Sequence, residues 1–291
     1  RHYLDSYGQA APQGPGYKIP EMFRAAREGR LKALWVMGED MLQTDPNSCE
    51  VKSSMQQLDF LVVQELFMTE TAAMADVVLP ASSHFEKSGT FTNGERRIQR
   101  VNRVLEPLAG TRPDGQIIVD IMNRMGFEQA GYDPALHLQE ISRVVPFFAG
   151  VTWDGLGDNG LQWPVLADGS GTRILHRESF DLGPGRFKYF GFEETPELAP
   201  EPEHYPYILT TGRILEHYNC GSMTRRTPNR ELVDRDRLLI NPADAGSHGI
   251  EDGDLVEISS RQGTTHITAK LSQEVRPGVL FTTFHYPEVA I

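Results

Sequence analysis

LKALWVMGEDMLQTDPNSCEVKSSMQQLDFLVVQELFMTETAAMADVVLP, residues 31–80, decides the fold of the first half of the chain. It holds three short apolar runs, 31–37 (LKALWVM), 60–63 (FLVV) and 77–79 (VVL). Runs this short cannot span a membrane, and apolar side chains on both faces suit strands of a parallel sheet covered by helices. Each run ends in polar or turn-forming residues: Gly38-Glu39-Asp40, Gln64-Glu65 and Pro80-Ala81-Ser82. Parallel, adjacent strands would bring these ends together as a crevice at the carboxyl edge of the sheet, where open α/β sheets bind ligands. Plain solvated strand ends are the competing reading. Between the runs, Asp45-Pro46-Asn47-Ser48 offers caps for a helix through Val51, Met55 and Leu58, and Thr69-Glu70-Thr71 starts a second through Ala75. Upstream, Pro20 suits the first turn of a helix through Ala26 that stops at Gly29, after a loop containing APQGPG. Strand, helix, strand, helix, strand predicts part of a doubly wound α/β sheet.

Beyond residue 82 the pattern changes. Residues 86–103, EKSGTFTNGERRIQRVNR, alternate short apolar positions with turns at Ser88-Gly89 and Asn93-Gly94, which predicts a hairpin within 86–105. Arg96, Arg97, Arg100 and Arg103 form a basic island, either a solvated face or a set of bidentate guanidiniums for phosphate or carboxylate. A helix is expected over 114–125, burying Ile117, Ile118, Ile121 and Met125 and ending at Gly126. From 146 the chain reads as an irregular, ordered crossover packed by Trp153, Trp163, Phe187, Tyr189, Phe190 and Phe192, with 193–203 (EETPELAPEPE) as the solvated connection. Short strand candidates follow at 208–209, 238–240, 255–259, 266–271 and 279–283, with one helical turn at 242–248. Short strands with turn-rich joins favour a small β-barrel. The expected divisions are therefore 1–145, 146–203 and 204–291.

With 28 Lys and Arg against 40 Asp and Glu, the 291 residues carry a formal charge of −12, which argues against a general nucleic-acid surface. Cys49 and Cys220 are too few and too far apart for a disulfide framework or a CxxC metal site, so a reducing compartment is expected. No basic leader precedes an apolar segment and no apolar run approaches about 18 residues, so no direct membrane insertion is expected. The first residue is Arg1 rather than Met, which suggests a fragment or a processed chain.

Residues 207–226, YILTTGRILEHYNCGSMTRR, place Arg213, His217, Asn219, Ser222, Thr224, Arg225 and Arg226 in one short span after a strand. Hydroxyls, glycine-flanked amides and arginines suit a diphosphate or a planar anionic ligand, although the span is neither a Walker loop nor a dinucleotide fingerprint. The carboxylate pair Glu39-Asp40 is instead suited to accept N–H groups of guanine.

Taken together, VMGEDMLQTDP (36–46), FLVVQELFMTETAAMADVVLPASSHFEKSGTFTNGERRIQR (60–100), TTGRILEHYNCGSMTRR (210–226), NPADAGSHGIEDGDLVEISSRQG (241–263) and FTTFHYPEVA (281–290) carry a resemblance over essentially the whole chain. It is similar to the C-terminal part of molybdopterin-dependent formate dehydrogenase catalytic subunits, of the molybdopterin oxidoreductase family. That resemblance implies an enzyme that interconverts formate and carbon dioxide, using two molybdopterin guanine dinucleotides around molybdenum or tungsten. It implies a four-iron four-sulfur cluster in an N-terminal region outside this sequence, electron-transfer subunits as partners and a cytoplasmic setting. It also implies that the C-terminal barrel is of double-psi type and, since the sequence stops soon after FHYPEVA, that the barrel is incomplete here. Gly38, Glu39 and Asp40 would line a guanosine pocket, with Gln64 and Glu65 at the next strand end. Arg213, His217, Ser222, Met223 and Thr224 would lie along a pterin, with Phe284 and His285 approaching from a later strand. The hairpin's basic residues would meet the cluster-bearing region. No catalytic residue and no metal ligand is expected here, because the family's metal-ligating cysteine or selenocysteine and its histidine and arginine neighbours match no position of this chain. Cys49 and Cys220 are not promoted to that role. The alternatives are another molybdopterin oxidoreductase, such as a nitrate reductase, or a non-enzymatic cofactor-binding component.

Overall fold

The computed structural model describes residues 2–10, 13–191, 193, 201 and 203–289. In chain order the helices and strands are α1 (His2–Tyr7), α2 (Ile19–Arg27), β1 (Ala33–Met37), α3 (Met41–Thr44), α4 (Ser48–Met55), β2 (Phe60–Glu65), α5 (Glu70–Ala73), β3 (Val77–Pro80), β4 (Gly89–Thr92), β5 (Arg97–Val101), α6 (Asp114–Arg124) and α7 (Pro134–Val144). They continue as β6 (Leu161–Gln162), β7 (Ile208–Gly212), β8 (Arg237–Ile240), α8 (Pro242–His248), β9 (Leu255–Ser259), β10 (Thr264–Leu271) and β11 (Val279–Thr283). The chain divides into two compact units. Residues 1–38, 57–68 and 74–187 form the first, and 39–56, 69–73 and 188–291 the second.

In the first unit the three apolar runs do become neighbouring parallel strands, in the order β1-β2-β3. Val36 pairs with Val63 and Val63 with Val78, so the strands end level with one another. Val63 is completely buried and Leu61 nearly so, whereas Trp35, Met37 and Phe60 are exposed, so among the described residues the expected cover is not seen on both faces. The consecutive order contains no reversal, so these three strands do not themselves form the switch point of a doubly wound sheet.

A second, three-stranded sheet, β4-β5-β6, is antiparallel throughout. Its hairpin turns where Asn93 and Gly94 predict, but through the longer segment 93–96. The Asn93 carboxamide accepts the N–H groups of Glu95 and Arg97, both at 3.0 Å, and Arg96 is the residue with positive φ, at 66°. Ser88-Gly89 makes no second turn; Gly89 already opens β4. Ile98, Leu138, Val151, Leu156 and Val165 form the core of this part, with Trp153 and Trp163 packed against it. Phe187, Tyr189 and Phe190 do not join it and stand almost wholly exposed, while Phe192 and most of 193–203 lie outside the described residues. Along α6 it is Ile117 and Val119 that are buried. Met125, just past the last turn, is 74% exposed.

In the second unit the expected strands form, but the expected barrel does not. The sheet is open and mixed, in the order β7-β11-β8-β10-β9, and no registered pair joins the edges β7 and β9. Among the described residues no double-psi β-barrel is present, and the architecture is α/β with mixed sheets. Local sequence predicts strand positions, whereas closure needs a stagger that brings the first and last strands into register, which short turn-rich strands do not encode. The edges look like edges: Ile208 on β7 is 57% exposed and Leu255 on β9 is 69% exposed. Leu238, Ile240, Ile267, Ala269 and Leu280 bury one face against Ala245 of α8. Asn241 caps α8 by accepting the N–H of Ala243 at 3.0 Å, and Gly249 ends it at φ 67°. Among the described residues no helix is long and apolar enough to cross a membrane.

Candidate functional site

At the carboxyl edge of the first unit's parallel sheet, Gly38 takes φ 61° and still donates its N–H to the carbonyl of Gln64 at 2.9 Å, carrying the ladder one step past β1. Gln64 is 1% exposed. Its Nε2 donates to Asp114 Oδ1 at 2.7 Å, while its Oε1 is buried without a partner, as is the hydroxyl of Ser82. Lys87 pairs with Asp114 and donates to the carbonyl of Ser82 at 3.1 Å. Glu65 turns back to accept the N–H of Leu66 at 2.7 Å. Neighbouring polar side chains thus close over the strand ends, and two buried oxygens remain without donors.

The second unit holds Glu39 and Asp40. Asp40, 3% exposed, accepts from Thr71 through one oxygen: Oδ1 lies 2.6 Å from Thr71 Oγ1 and 3.2 Å from Thr71 N. Thr71 Oγ1 in turn accepts the N–H of Leu42 at 3.1 Å. Asp40 Oδ2 is buried with no donor, and so is Oε1 of Gln43. Exposed Glu39 accepts from Thr44 Oγ1 at 2.5 Å. Burial, with the Glu39 charge added, raises the carboxyl of Asp45 above its ordinary pKa. An acceptor-only group of this kind repels phosphate and complements the N1–H and 2-amino hydrogens of guanine.

The loop after β7 carries the other candidates, all within the second unit. Arg213 is exposed, with its guanidinium 5.0 Å from the ring centre of Phe284 and Nη2 3.4 Å from Asn219 Oδ1. His217 and His285 are buried, with ring centres 5.8 Å apart. Thr224 Oγ1 lies 3.2 Å from His217 Nδ1 and accepts the N–H of Tyr218 at 3.1 Å. Ser222 pairs with Cys220 at 2.9 Å, and Met223 is 43% exposed. Gly221 has φ 75°, and a Cβ there would stand 2.7 Å from the Arg225 side chain and 3.0 Å from the carbonyl of His285. Only glycine lets the loop lie this close to residue 285. Arg225 pairs with Glu288 and covers the ring of Tyr286 at 4.5 Å.

Sequence reasoning passed over three residues that organise these sites. Thr71 reads as an ordinary helix start, and nothing in the local sequence marks Asp236 or Tyr286. Asp236 is 6% exposed and accepts from Arg237 N at 2.9 Å, Thr283 N at 3.1 Å and Thr282 Oγ1 at 2.8 Å. Cys49 is exposed and Cys220 half-buried, and among the described residues no three His, Cys, Asp or Glu side chains are grouped to hold a metal.

The basic island of the hairpin is engaged within its own unit. Arg96 donates to the carbonyls of Trp163, Thr172 (3.1 Å) and Arg173 (3.3 Å), Arg97 bonds Glu95 and the carbonyl of Asn159, Arg100 lies 5.9 Å from the Trp153 ring centre and Arg103 pairs with Glu106. Arg96 is thus a clamp between the hairpin and residues 163–173. Arg96→Ala is expected to lower stability by about 2–4 kcal/mol, because it strands carbonyls bonded by a charged donor, and to leave guanosine nucleotide affinity unchanged. Urea melts and titration calorimetry check this, and the reverse pattern would restore the anion-binding reading. A cavity of about 220 Å³, lined by Lys87, Phe91, Asp114, Tyr132, His137 and Ile141 among others, includes none of the sequence-predicted site residues.

Residues 8–124 match the family "Molybdopterin oxidoreductase" and residues 207–291 the "Molydopterin dinucleotide binding domain". The chain belongs to the molybdopterin oxidoreductase family. Among curated relatives, the F420-dependent formate dehydrogenase subunit alpha of Methanocaldococcus jannaschii is 41% identical over 278 residues, covering 94% of this chain and 41% of that protein. A probable oxidoreductase of Bacillus subtilis is 39% identical over 276 residues, covering 94% and 28%. The chain thus spans about two-fifths or less of the length of these relatives. Among solved structures, acetylene hydratase from Pelobacter acetylenicus superposes with a TM-score of 0.67 at 20% identity, over 92% of this chain and 40% of that one, a likeness of fold.

Proposed function

We propose that this chain supplies nucleotide- and pterin-binding surfaces for molybdopterin guanine dinucleotide in the catalytic subunit of a formate dehydrogenase. The observation that carries the reading is Asp40: a buried carboxylate with one oxygen fixed by Thr71 and the other without a donor. Such an oxygen is retained at a cost of about 1–3 kcal/mol unless a ligand supplies the hydrogen bond, and guanine carries adjacent N–H groups of the right kind. The residues therefore fit the nucleotide end of the group. Glu39 and Asp40 of the second unit would take the base and ribose hydroxyls, and in the first unit Gly38, Gln64 and Glu65 are cofactor-binding candidates in their own right. Arg213, Ser222, Met223 and Thr224, with Phe284, would meet the pterin and diphosphate, while His217 and His285 hold that loop. When bound, the cofactor with molybdenum or tungsten supplies the two-electron chemistry, and the chain's own part is binding, orientation and electrostatics.

Formate as substrate is supported by the names of the M. jannaschii relative and of its counterparts in Methanococcus maripaludis and Staphylococcus aureus. An iron–sulfur-bearing region, electron-transfer subunits and a cytoplasmic setting belong to the same reading. The test is to purify the complex containing this chain from its source, measure molybdenum, tungsten and iron, and assay formate-dependent dye reduction. Stoichiometric metal with formate activity in the complex, and none in the isolated chain, is the expected result. Metal with nitrate but not formate turnover would move the chain to another branch of the family. Lack of both cofactor and guanosine nucleotide binding would overturn the cradle.

A further inference from the structure

His285 is fully buried, and both ring nitrogens have backbone partners. Nε2 lies 3.1 Å from the N–H of Ile214, so it accepts; Nδ1 faces the carbonyl of Asn219, so it donates. One neutral imidazole therefore ties two points of the same loop, five residues apart, to the end of β11. Protonation would set a ring N–H against a backbone N–H, which can only donate.

His217 beside it behaves differently. Tyr286 donates its hydroxyl to the carbonyl of Val233 at 3.0 Å, so His217 Nε2, 3.0 Å from that carbonyl and 2.9 Å from the hydroxyl oxygen, is the protonated nitrogen. Its Nδ1 meets the hydroxyl of Thr224, which can rotate from donor to acceptor. Of the two rings, only His285 has both nitrogens committed to backbone groups.

The charged and titratable groups around the pair reinforce the difference. Arg213 opens the loop, Arg225 donates to the His285 carbonyl at 3.3 Å and lies over Tyr286, and the His217 ring stands 5.8 Å away. On the other side are Asp236, already engaged by three donors, then Asp234, and Glu288, which is paired with Arg225.

We propose that His285 is a pH-dependent latch on the 213–226 loop: while neutral it fixes the loop against β11, and its protonation releases Arg213, Ser222 and Met223 together. Burial, chiefly, lowers the His285 pKa below its ordinary 6.5, with His217 and Arg213 acting in the same direction against Asn219 and Asp236. The sign follows. The closed loop holds the ring neutral, and the open loop lets it ionise near the ordinary value. Closure is then nearly constant well above pH 6.5 and weakens as the pH falls through about 6.5 toward the depressed value, by at most about tenfold per pH unit.

The latch rests on the geometry of the chain without cofactor; only its bearing on cofactor capture rests on the proposed function. Hydrogen exchange of the cofactor-free 291-residue chain separates the two. After correction for intrinsic rates, amides of 213–226 are expected to open more often at pH 5.5 than at 6.5, by up to about fivefold, and to change by less than about twofold between 6.5 and 7.5, with β8 and β10 unaffected. His285→Gln can donate to Asn219 and accept from Ile214 but cannot titrate, so the loop should stay protected and lose its pH response. His285→Ala should leave it unprotected throughout. A pH-independent wild-type loop, or a glutamine variant that keeps the wild-type response, overturns the latch. If the glutamine variant does not fold, ¹⁵N imidazole spectra of the wild type decide: an Nδ1–H ring that stays neutral below pH 6.5 upholds it, and a ring titrating near 6.5 overturns it.

Discussion

Asp40→Asn is expected to weaken binding of guanosine diphosphate by about hundredfold and to transfer preference to xanthosine diphosphate. The side chain has no freedom to hide the change. The oxygen facing Thr71 must go on accepting from both its N–H and its hydroxyl, so an asparagine places its carbonyl there and turns its NH₂ to the position of the unpartnered Oδ2. A donor then faces the N1–H and 2-amino group of guanine. Losing a charge-assisted hydrogen bond and gaining a donor–donor contact amounts to about 3 kcal/mol, roughly two decades in affinity. Xanthine has a carbonyl in place of the 2-amino group and accepts what guanine cannot. Calorimetric titration of both nucleotides against the wild-type and variant chains reads the exchange directly. An asparagine variant that binds guanosine diphosphate as well as the wild type would remove Asp40 from base recognition. A wild-type chain with no affinity for it in the millimolar range would remove the pocket.

The place of the Glu39-Asp40 pair was legible in the sequence because a carboxylate pair just past an apolar run has little reason to exist in a strand and good reason to exist after its end. The five strands of the second unit were legible for a similar reason: β9 and β11 begin and end at the residues their composition predicts, since turn residues flank each run. Closure of that sheet was not legible. Edge pairing depends on the angle and stagger between strands distant in sequence, and Ile208 and Leu255 look as suited to a barrel interior as to an exposed edge. The arginine island misled in the opposite way. Its partners are mostly backbone carbonyls, at Asn159, Trp163, Thr172 and Arg173, and carbonyls leave no signature in a sequence. The fold likeness to a hydratase and the sequence likeness to formate dehydrogenases also separate two questions. The scaffold accommodates different reactions, so the reaction must be argued from residues at the site.

Asp236→Ala should be the most destabilising single substitution in the second unit, lowering its stability by about 3–5 kcal/mol and loosening the cofactor loop with it. The carboxylate gathers three donors, the N–H groups of Arg237 and Thr283 and the hydroxyl of Thr282, from the start of β8 and the end of β11. Removing it leaves these groups without an acceptor, each at about 1–3 kcal/mol where water does not reach. The consequence extends beyond the two strands. Residue 233, three positions earlier on the same turn, offers the carbonyl on which Tyr286 and His217 both rest, and residues 284–286 follow β11 directly. A turn that loses its carboxylate therefore loses the fixed point of the His217 anchor. Asp236→Asn separates these contributions. It keeps an acceptor for the backbone donors, and Thr282 can rotate its hydroxyl to accept from the new amide, so a loss of about 1–2 kcal/mol is expected with the loop still closed. Urea denaturation read together with hydrogen exchange over 213–226 distinguishes the outcomes. An alanine variant as stable as the asparagine one would show that the three donors find other partners and that the turn is held from elsewhere.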